Sequence, residues 1–268
     1  MNYFDRLPEG CICEIISHTT PADAVRATIL SKEFKFVGES DEIWEKFLPS
    51  DYQEIIDRCE FPPVYNTKKE LFFSLCDSPI LLDGGKLSFF LDKHSGKKCF
   101  MIASRELTIS RSGNTNYWKW KKNSNLRFSE AACQGALRLL DINGRIGTEM
   151  LSPKTDYAAY LVFKLAAITD GLDYANSTII RFLNYQYKIE IDKQAITGKL
   201  EPLPKMRGDG WMEVELGYFN SREGSDGPVE ARFINIKSLY YKGGLIIEGI
   251  EFRPKGTTSA VVVADIGF

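Results

Sequence analysis

Tyr157-Ala158-Ala159-Tyr160-Leu161-Val162-Phe163-Lys164-Leu165-Ala166-Ala167 sets Tyr157, Ala159, Leu161, Phe163 and Leu165 at every second position. A period of two belongs to a strand, whose successive side chains point to opposite faces. The spacing therefore predicts one long strand, and the same pattern recurs outward from it. Leu87, Phe89 and Leu91 alternate with Ser88, Phe90 and Asp92, and residues 92–96 read as a turn before a run over 99–102. Residues 107–109 and 117–121 are short strands, and Asn143-Gly144 is a hairpin-turn signal between two further runs. Runs at 178–191, 211–216, 231–236 and 245–252 follow, separated by turns containing Gly or Pro. Many short strands without strand–helix alternation predict an antiparallel sandwich or jelly roll.

The first 80 residues read differently. Asp5-Arg6-Leu7-Pro8-Glu9 opens like a helix, with Ile12, Ile15 and Ile16 on one helical face. Thr20-Pro21-Ala22-Asp23 is a second start, followed by a stripe of Ala24, Ala27 and Leu30. Ser40-Asp41-Glu42 starts a third helix carrying Ile43, Trp44, Phe47 and Leu48, and Pro49 stops it. Ser50-Asp51 starts another, with Ile55, Ile56 and Cys59. Thr67 and Glu70 form a capping box before Leu71, Phe72 and Leu75. The fold class is thus α+β, a small helical unit followed by an antiparallel all-β domain.

Composition narrows the function. The 268 residues are 44% hydrophobic and 26% charged, which describes a globular chain rather than a disordered one. No apolar run approaches the roughly 20 residues of a membrane-spanning helix, and the opening residues lack the basic head and apolar middle of a secretory signal. The expected location is cytoplasm or nucleus, with no membrane partner. The net charge of −2 hides an asymmetry. Residues 1–80 carry 8 Lys/Arg against 15 Asp/Glu, and residues 81–268 carry 26 against 21. That split suggests two modules with different partners, and the basic half falls short of a dedicated nucleic-acid binder. Six cysteines and two histidines, with no Cys-x-x-Cys pair, argue for reduced thiols and against a metal site or cofactor.

Leu7-Pro8-Glu9-Gly10-Cys11-Ile12-Cys13-Glu14-Ile15-Ile16, Thr20-Pro21-Ala22-Asp23-Ala24, Leu30-Ser31-Lys32-Glu33-Phe34 and the segment Ser40 to Pro49 with its Trp44 together resemble an F-box. The resemblance implies docking onto a Skp-type adaptor and, through it, a cullin scaffold of an SCF-type ubiquitin ligase. The candidate adaptor contacts are Leu7, Pro8, Ile12, Ile15, Ile16, Pro21, Leu30 and Trp44. One buried Ile or Leu yields roughly 1.5–3 kcal/mol against an association cost of about 4–15 kcal/mol, so several anchors must act together.

The second half resembles the phloem-protein-2 domain of the Nictaba-like plant lectins. The residues that carry it include Gly96-Lys97-Lys98-Cys99-Phe100-Met101, Tyr117-Trp118-Lys119-Trp120, Met150-Leu151-Ser152-Pro153, Asp209-Gly210-Trp211-Met212-Glu213 and Lys242-Gly243-Gly244-Leu245-Ile246-Ile247. The two resemblances together divide the chain into an F-box (1–50), a helical linker (51–84), a β domain (85–256) and a tail (257–268). In that family a pair of tryptophans seven residues apart stacks on sugars. The second maps to Trp118 and the first to Arg111, whose planar guanidinium can stack and donate to hydroxyls. Candidate carbohydrate contacts are therefore Trp118, Tyr117 and Arg111.

Trp120 and Trp211 are expected to pack, and Glu213 and Glu215 to be solvated. Lysines interleaved with Trp118 and Trp120 are the pattern of a single-stranded nucleic-acid binder, but a strand with its lysines outward explains them better, and no nucleic acid is expected. No paired carboxylates stand out for glycosidase chemistry, and the family leaves ubiquitin transfer to other subunits, so the chain is expected to be a non-enzymatic receptor. Two readings stay open: recognition of glycans on target glycoproteins, or protein–protein recognition on a degenerate lectin fold. The tail, with its apolar run Val261-Val262-Val263, is expected to dangle, so that truncation after Gly256 leaves the melting temperature unchanged.

Overall fold

Helix starts are set by capping chemistry. In the computed structural model, which describes residues 7–122, 126–170, 177–183, 198–199, 204–222, 227–235 and 242–257, six helices open the chain. They are α1 (Glu9–Ser17), α2 (Pro21–Ala27), α3 (Lys32–Gly38), α4 (Asp41–Phe47), α5 (Tyr52–Asp57) and α6 (Lys68–Asp77). The Thr20 hydroxyl accepts from the Asp23 amide at 3.2 Å, and the Thr67 hydroxyl from the Glu70 amide at 3.1 Å. The Glu70 carboxylate reaches back one residue further than a capping box requires, to the Asn66 amide at 2.8 Å. Helix α3 escapes the sequence reading, because it lacks the proline or paired acidic residues that mark the starts of the equally short α2 and α4. Its cap, Ser31, accepts from the Phe34 amide at 3.4 Å.

Fourteen strands follow among the described residues: β1 (Ile80–Leu82), β2 (Leu87–Leu91), β3 (Lys98–Ala103), β4 (Thr108–Ile109), β5 (Trp118–Lys121), β6 (Ala131–Gln134), β7 (Leu140–Gly147), β8 (Asp156–Asp170), β9 (Ser177–Phe182), β10 (Gly198–Lys199), β11 (Lys205–Met206), β12 (Met212–Asn220), β13 (Pro228–Asn235) and β14 (Gly243–Pro254). They form two antiparallel sheets. The larger runs β1-β2-β3-β14-β8-β12-β11, with β6 joining β14 and β5 joining β6, and the smaller runs β10-β9-β13-β7-β4. Tyr157, Ala159, Leu161 and Phe163 of β8 point into the core between the sheets, as their spacing predicts, while Leu165 is exposed. Most of the predicted run at 178–191 and the tail beyond Thr257 lie outside the described residues.

Asn143-Gly144 is not a turn. Both residues lie inside β7, facing Arg232 and Ala231 of β13. The local dipeptide signal is overridden because neighbouring strands on both sides fix the register of β7. Glycine is needed there for a different reason: a Cβ on Gly144 would stand 2.8 Å from Leu107 Cδ2 and 3.2 Å from Ile250 Cδ1. The two sheets meet at that point. Gly144→Val should therefore overpack the core and cost about 1–3 kcal/mol; an unchanged denaturation midpoint would show that the sheets can part there freely.

The helical unit rests on the sandwich rather than standing apart. Trp44 is fully buried, donates its indole N–H to the Gly38 carbonyl at 2.9 Å, and packs on Phe72 and Phe73 in the cluster that continues into Phe89, Phe100 and the sheet interior. The β2–β3 turn presses against the helices, since a Cβ on Gly96 would lie 3.0 Å from the Phe47 carbonyl. Lys98 Nζ reaches Asp51 at 2.8 Å across the same junction. A second, smaller cluster of Ile12, Ile16, Ala24, Phe34, Val37 and Ile43 holds α1–α4 together.

Candidate recognition surfaces

The eight residues expected to meet an adaptor divide by burial. Ile12, Ile16, Pro21 and Trp44 are buried within the helical unit, where they hold the scaffold rather than present a contact. Leu7 packs partly against the small cluster. Pro8 is exposed at the start of α1, where its carbonyl accepts from the amides of Cys11 and Ile12 at 2.9 and 3.2 Å. Ile15 and Leu30 are exposed at 45% and 63%. Leu30 misses the stripe counted from Ala24 because α2 ends at Ala27 and the chain turns before reaching it. Three further apolar residues in the same stretch are exposed and escape the sequence reading: Val25, Ile29 and Phe36. Ile29 lies in the turn after α2, and Ile15 and Phe36 are out of phase with the buried helical faces. Ile15 adjoins buried Ile16, and Phe36 follows buried Phe34 by two, positions that one helical face cannot share.

The candidate sugar contacts also separate. Trp118 is 1% exposed and donates its indole N–H to the Ser110 carbonyl at 3.0 Å. Its stacking role is corrected here: the ring packs in the inter-sheet core and offers a sugar no open face. Tyr117 and Arg111 do come together at the surface. Arg111 Nη1 donates to the Tyr117 hydroxyl at 3.1 Å, with the guanidinium carbon 5.1 Å from the ring centre. Arg111 holds φ 61°, the left-handed region, so the backbone carries a strained non-glycine residue beside Tyr117. Trp120 is half-buried under the Arg105 guanidinium, 3.7 Å from its centroid, and Arg105 is in turn paired with Glu130. Arg111→Trp should leave Trp118 in place and add an aromatic face beside Tyr117. On a glycan array it should raise whatever binding exists, whereas Trp118→Ala should act first on stability, by about 3–5 kcal/mol. A Trp118→Ala protein with an unaltered melting curve would contradict its place in the core.

The outer face of the larger sheet carries a buried ion cluster that the sequence reading missed. Glu251, with no exposure, accepts from Arg207 Nη2 at 3.0 Å, Arg253 Nη1 at 2.6 Å and Arg127 Nη1 at 3.3 Å. Glu213, expected to be solvated, accepts from Arg253 Nη2 at 2.6 Å and Arg207 Nη1 at 3.1 Å. The Arg253 guanidinium also covers the Tyr160 ring at 3.7 Å. Burial by itself would push the Glu251 carboxyl up, and Arg207, Arg253 and Arg127 together outweigh it and hold it well below the usual carboxylate range. These carboxylates are saturated by guanidinium groups, so they pin the loops before β6 and β12 to the sheet instead of moving protons. Trp211 packs beside them, as expected, with Lys164 Nζ 4.4 Å from its ring centre.

None of the six cysteines is in a disulfide, and only Cys76 and Cys99 are fully buried. Burial pushes both thiols up. Among the described residues no group of three His, Cys, Asp or Glu side chains could hold a metal ion, and no helix is long and apolar enough to cross a membrane.

Comparison with known proteins gives a consistent picture. The sequence profile of phloem protein 2 matches residues 97–254. The F-box protein VBF of Arabidopsis thaliana is 38% identical, covering 93% of this chain and 99% of that protein. F-box proteins PP2-B15 and PP2-B10 of the same plant are 38% and 39% identical, covering 93% and 94% of this chain and 96% and 94% of theirs. Among solved structures, a family 35 carbohydrate-binding module from Clostridium thermocellum aligns over 58% of this chain and 98% of its own at 12% identity, with a TM-score of 0.33. The CBM22-1 xylan-binding domain of Paenibacillus barcinonensis Xyn10C aligns over 59% of this chain and 90% of its own at 7% identity, with a TM-score of 0.31.

Proposed function

The chain belongs to the phloem protein 2 family, alongside relatives named as F-box proteins, and from that premise we propose that it is the substrate receptor of an SCF-type ubiquitin ligase. The helical unit docks a Skp-type adaptor bound to a cullin scaffold, and the β sandwich recruits the target. The reading places the chain in the cytoplasm or nucleus and gives it no catalytic step of its own.

The observation that carries it is the concentration of exposed large apolar side chains between residues 15 and 36: Ile15, Val25, Ile29, Leu30 and Phe36. A small unit that buries Ile12, Ile16, Phe34 and Ile43 yet leaves five apolar side chains in water has a surface suited to a partner. In this proposal Ile15 and Leu30 are anchors, Leu7 and Pro8 flank them, and Ile12, Ile16, Pro21 and Trp44 shape the surface from beneath. Co-purification of the full chain with a recombinant Skp-type adaptor tests it; a chain that stays alone on size exclusion would refute the adaptor half.

For the receptor half, the exposed Arg111–Tyr117 pair supports a glycan contact. The closed Trp118 favours the second reading, protein–protein recognition on a lectin-like sandwich. A glycan array probed with the full chain separates the two.

A further inference from the structure

The two faces of β5 differ in chemistry. Trp118 and Trp120 pack against the core between the sheets, while Lys119 and Lys121, alternating with them, point to the other side. Lys119 pairs with Cys133, Cys133 with Ile246 and Ile246 with Lys164, so one row crosses β5, β6, β14 and β8 on the sheet's outer face. At the β5 end of this row lies a cleft of about 220 Å³. Lys119 and Lys121 line it with Thr115, Asn116 and Tyr117, and no carboxylate of a described residue does. Among the described residues neither lysine has an ion-pair or ring partner. Several cations elsewhere on this domain are tied down: Arg105 by Glu130, Arg145 and Arg181 by Glu230, Arg232 by Asp141, and Lys164 by the Trp211 ring. Lys86, Lys97 and Lys205, which do not line the cleft, share the unpaired state of Lys119 and Lys121 among the described residues.

Two unpaired ammonium groups over a concave, acid-free lining attract an anion, and the Thr115, Asn116 and Tyr117 side chains supply donors and acceptors for hydroxyls. The volume is below the ~300–1,000 Å³ of pockets for drug-sized ligands, which limits the guest to about one ring. A single-stranded nucleic acid needs a run of stacking aromatics beside its cations, and here Tyr117 is the one aromatic among the described lining residues, with the tryptophans on the opposite face. We infer that the cleft between β5 and β14 binds an anionic monosaccharide unit, a uronate or a sugar sulfate, through Lys119 and Lys121. This deepens the receptor half of the proposed function and rests on it; it does not involve the adaptor surface.

The test is titration calorimetry of the full chain with galacturonate and N-acetylglucosamine 6-sulfate, against galactose, N-acetylglucosamine, inorganic sulfate and a short oligothymidylate. Both acidic sugars should bind at least about tenfold more tightly than their neutral counterparts, and more weakly as salt is raised. The double variant Lys119→Ala/Lys121→Ala, at exposed strand positions, should keep its melting temperature and lose about tenfold in affinity. Lys35→Ala, on the distant α3, should lose nothing. Equal binding of neutral and acidic sugars, full affinity in the double variant, sulfate alone binding as tightly as the sugar sulfate, or preference for the oligothymidylate would each overturn the inference. The first of these outcomes leaves the glycan reading standing. A chain that binds none of the saccharides defeats the inference, while the glycan array decides the wider glycan reading and adaptor co-purification reports separately on the rest.

Discussion

Glu251→Gln is expected to cost about 3–5 kcal/mol, the range for removing one partner from a buried ion pair. The amide keeps the shape of the carboxylate and removes its charge. Arg207 and Arg253, almost wholly buried, would then keep their ion pairs to Asp209 and Glu213, and Arg127, equally buried, would keep the neighbouring Glu248 as its carboxylate. A buried guanidinium cannot neutralise itself by losing a proton, so the cluster must either open to water or strain. Opening it would release the loops before β6 and β12 and expose Phe128 and Trp211. The acid limb gives a second readout. The folded-state pKa of Glu251 is lowered from 4.5, so its contribution is fully present above about that pH and is lost only as pH falls toward the folded value. The native protein should show no change from this group between pH 7 and 5, and the variant should lose less than the native protein below pH 4.5. A Glu251→Gln midpoint equal to that of the native protein at pH 7 would show that the cluster contributes nothing net.

That cluster also shows where sequence reading stops. Glu251 and Arg253 sit at i and i+2 of a strand, a pattern that alone describes a solvated face. They are buried because loops more than 40 residues away in sequence fold over them. The long strand β8 was legible because its alternation is a property of the backbone itself. Trp118 was not, since a strand's pleat separates two faces without saying which one the second sheet covers. Leu30 failed for the opposite reason: the helical count was sound but ran past the end of α2. Caps at Thr20 and Thr67 were readable because their hydrogen bonds span three residues, whereas the Asn143-Gly144 signal, equally local, lost to strand pairing on both sides. The exposed residues of the helical unit were half legible. Their apolar character was visible, but the choice between core and surface depends on how α1–α4 pack.

The packing of α1–α4 makes the adaptor surface separable from the fold that presents it. Ile15→Asp combined with Leu30→Asp should abolish co-purification with a Skp-type adaptor while leaving the melting temperature within about a degree of the native value. Neither side chain belongs to the clusters that hold the unit, so a charge at either place meets water in the free chain. In a complex each aspartate would forfeit roughly 1.5–3 kcal/mol of apolar burial and add the cost of desolvating a carboxylate without a partner. Two such losses exceed about 3 kcal/mol, more than a hundredfold in dissociation constant. Ile12→Ala and Trp44→Ala should also lose the adaptor, by another route: emptying those buried sites costs about 2–5 kcal/mol of folding stability. Because Trp44 is shared with the sandwich core, its loss should loosen the receptor domain as well. Melting curves and pull-downs on the four proteins therefore separate contact from scaffold. Undiminished capture by the Ile15→Asp/Leu30→Asp chain would place the adaptor somewhere other than this surface. A large fall in its melting temperature would instead mean that Ile15 or Leu30 is part of the core.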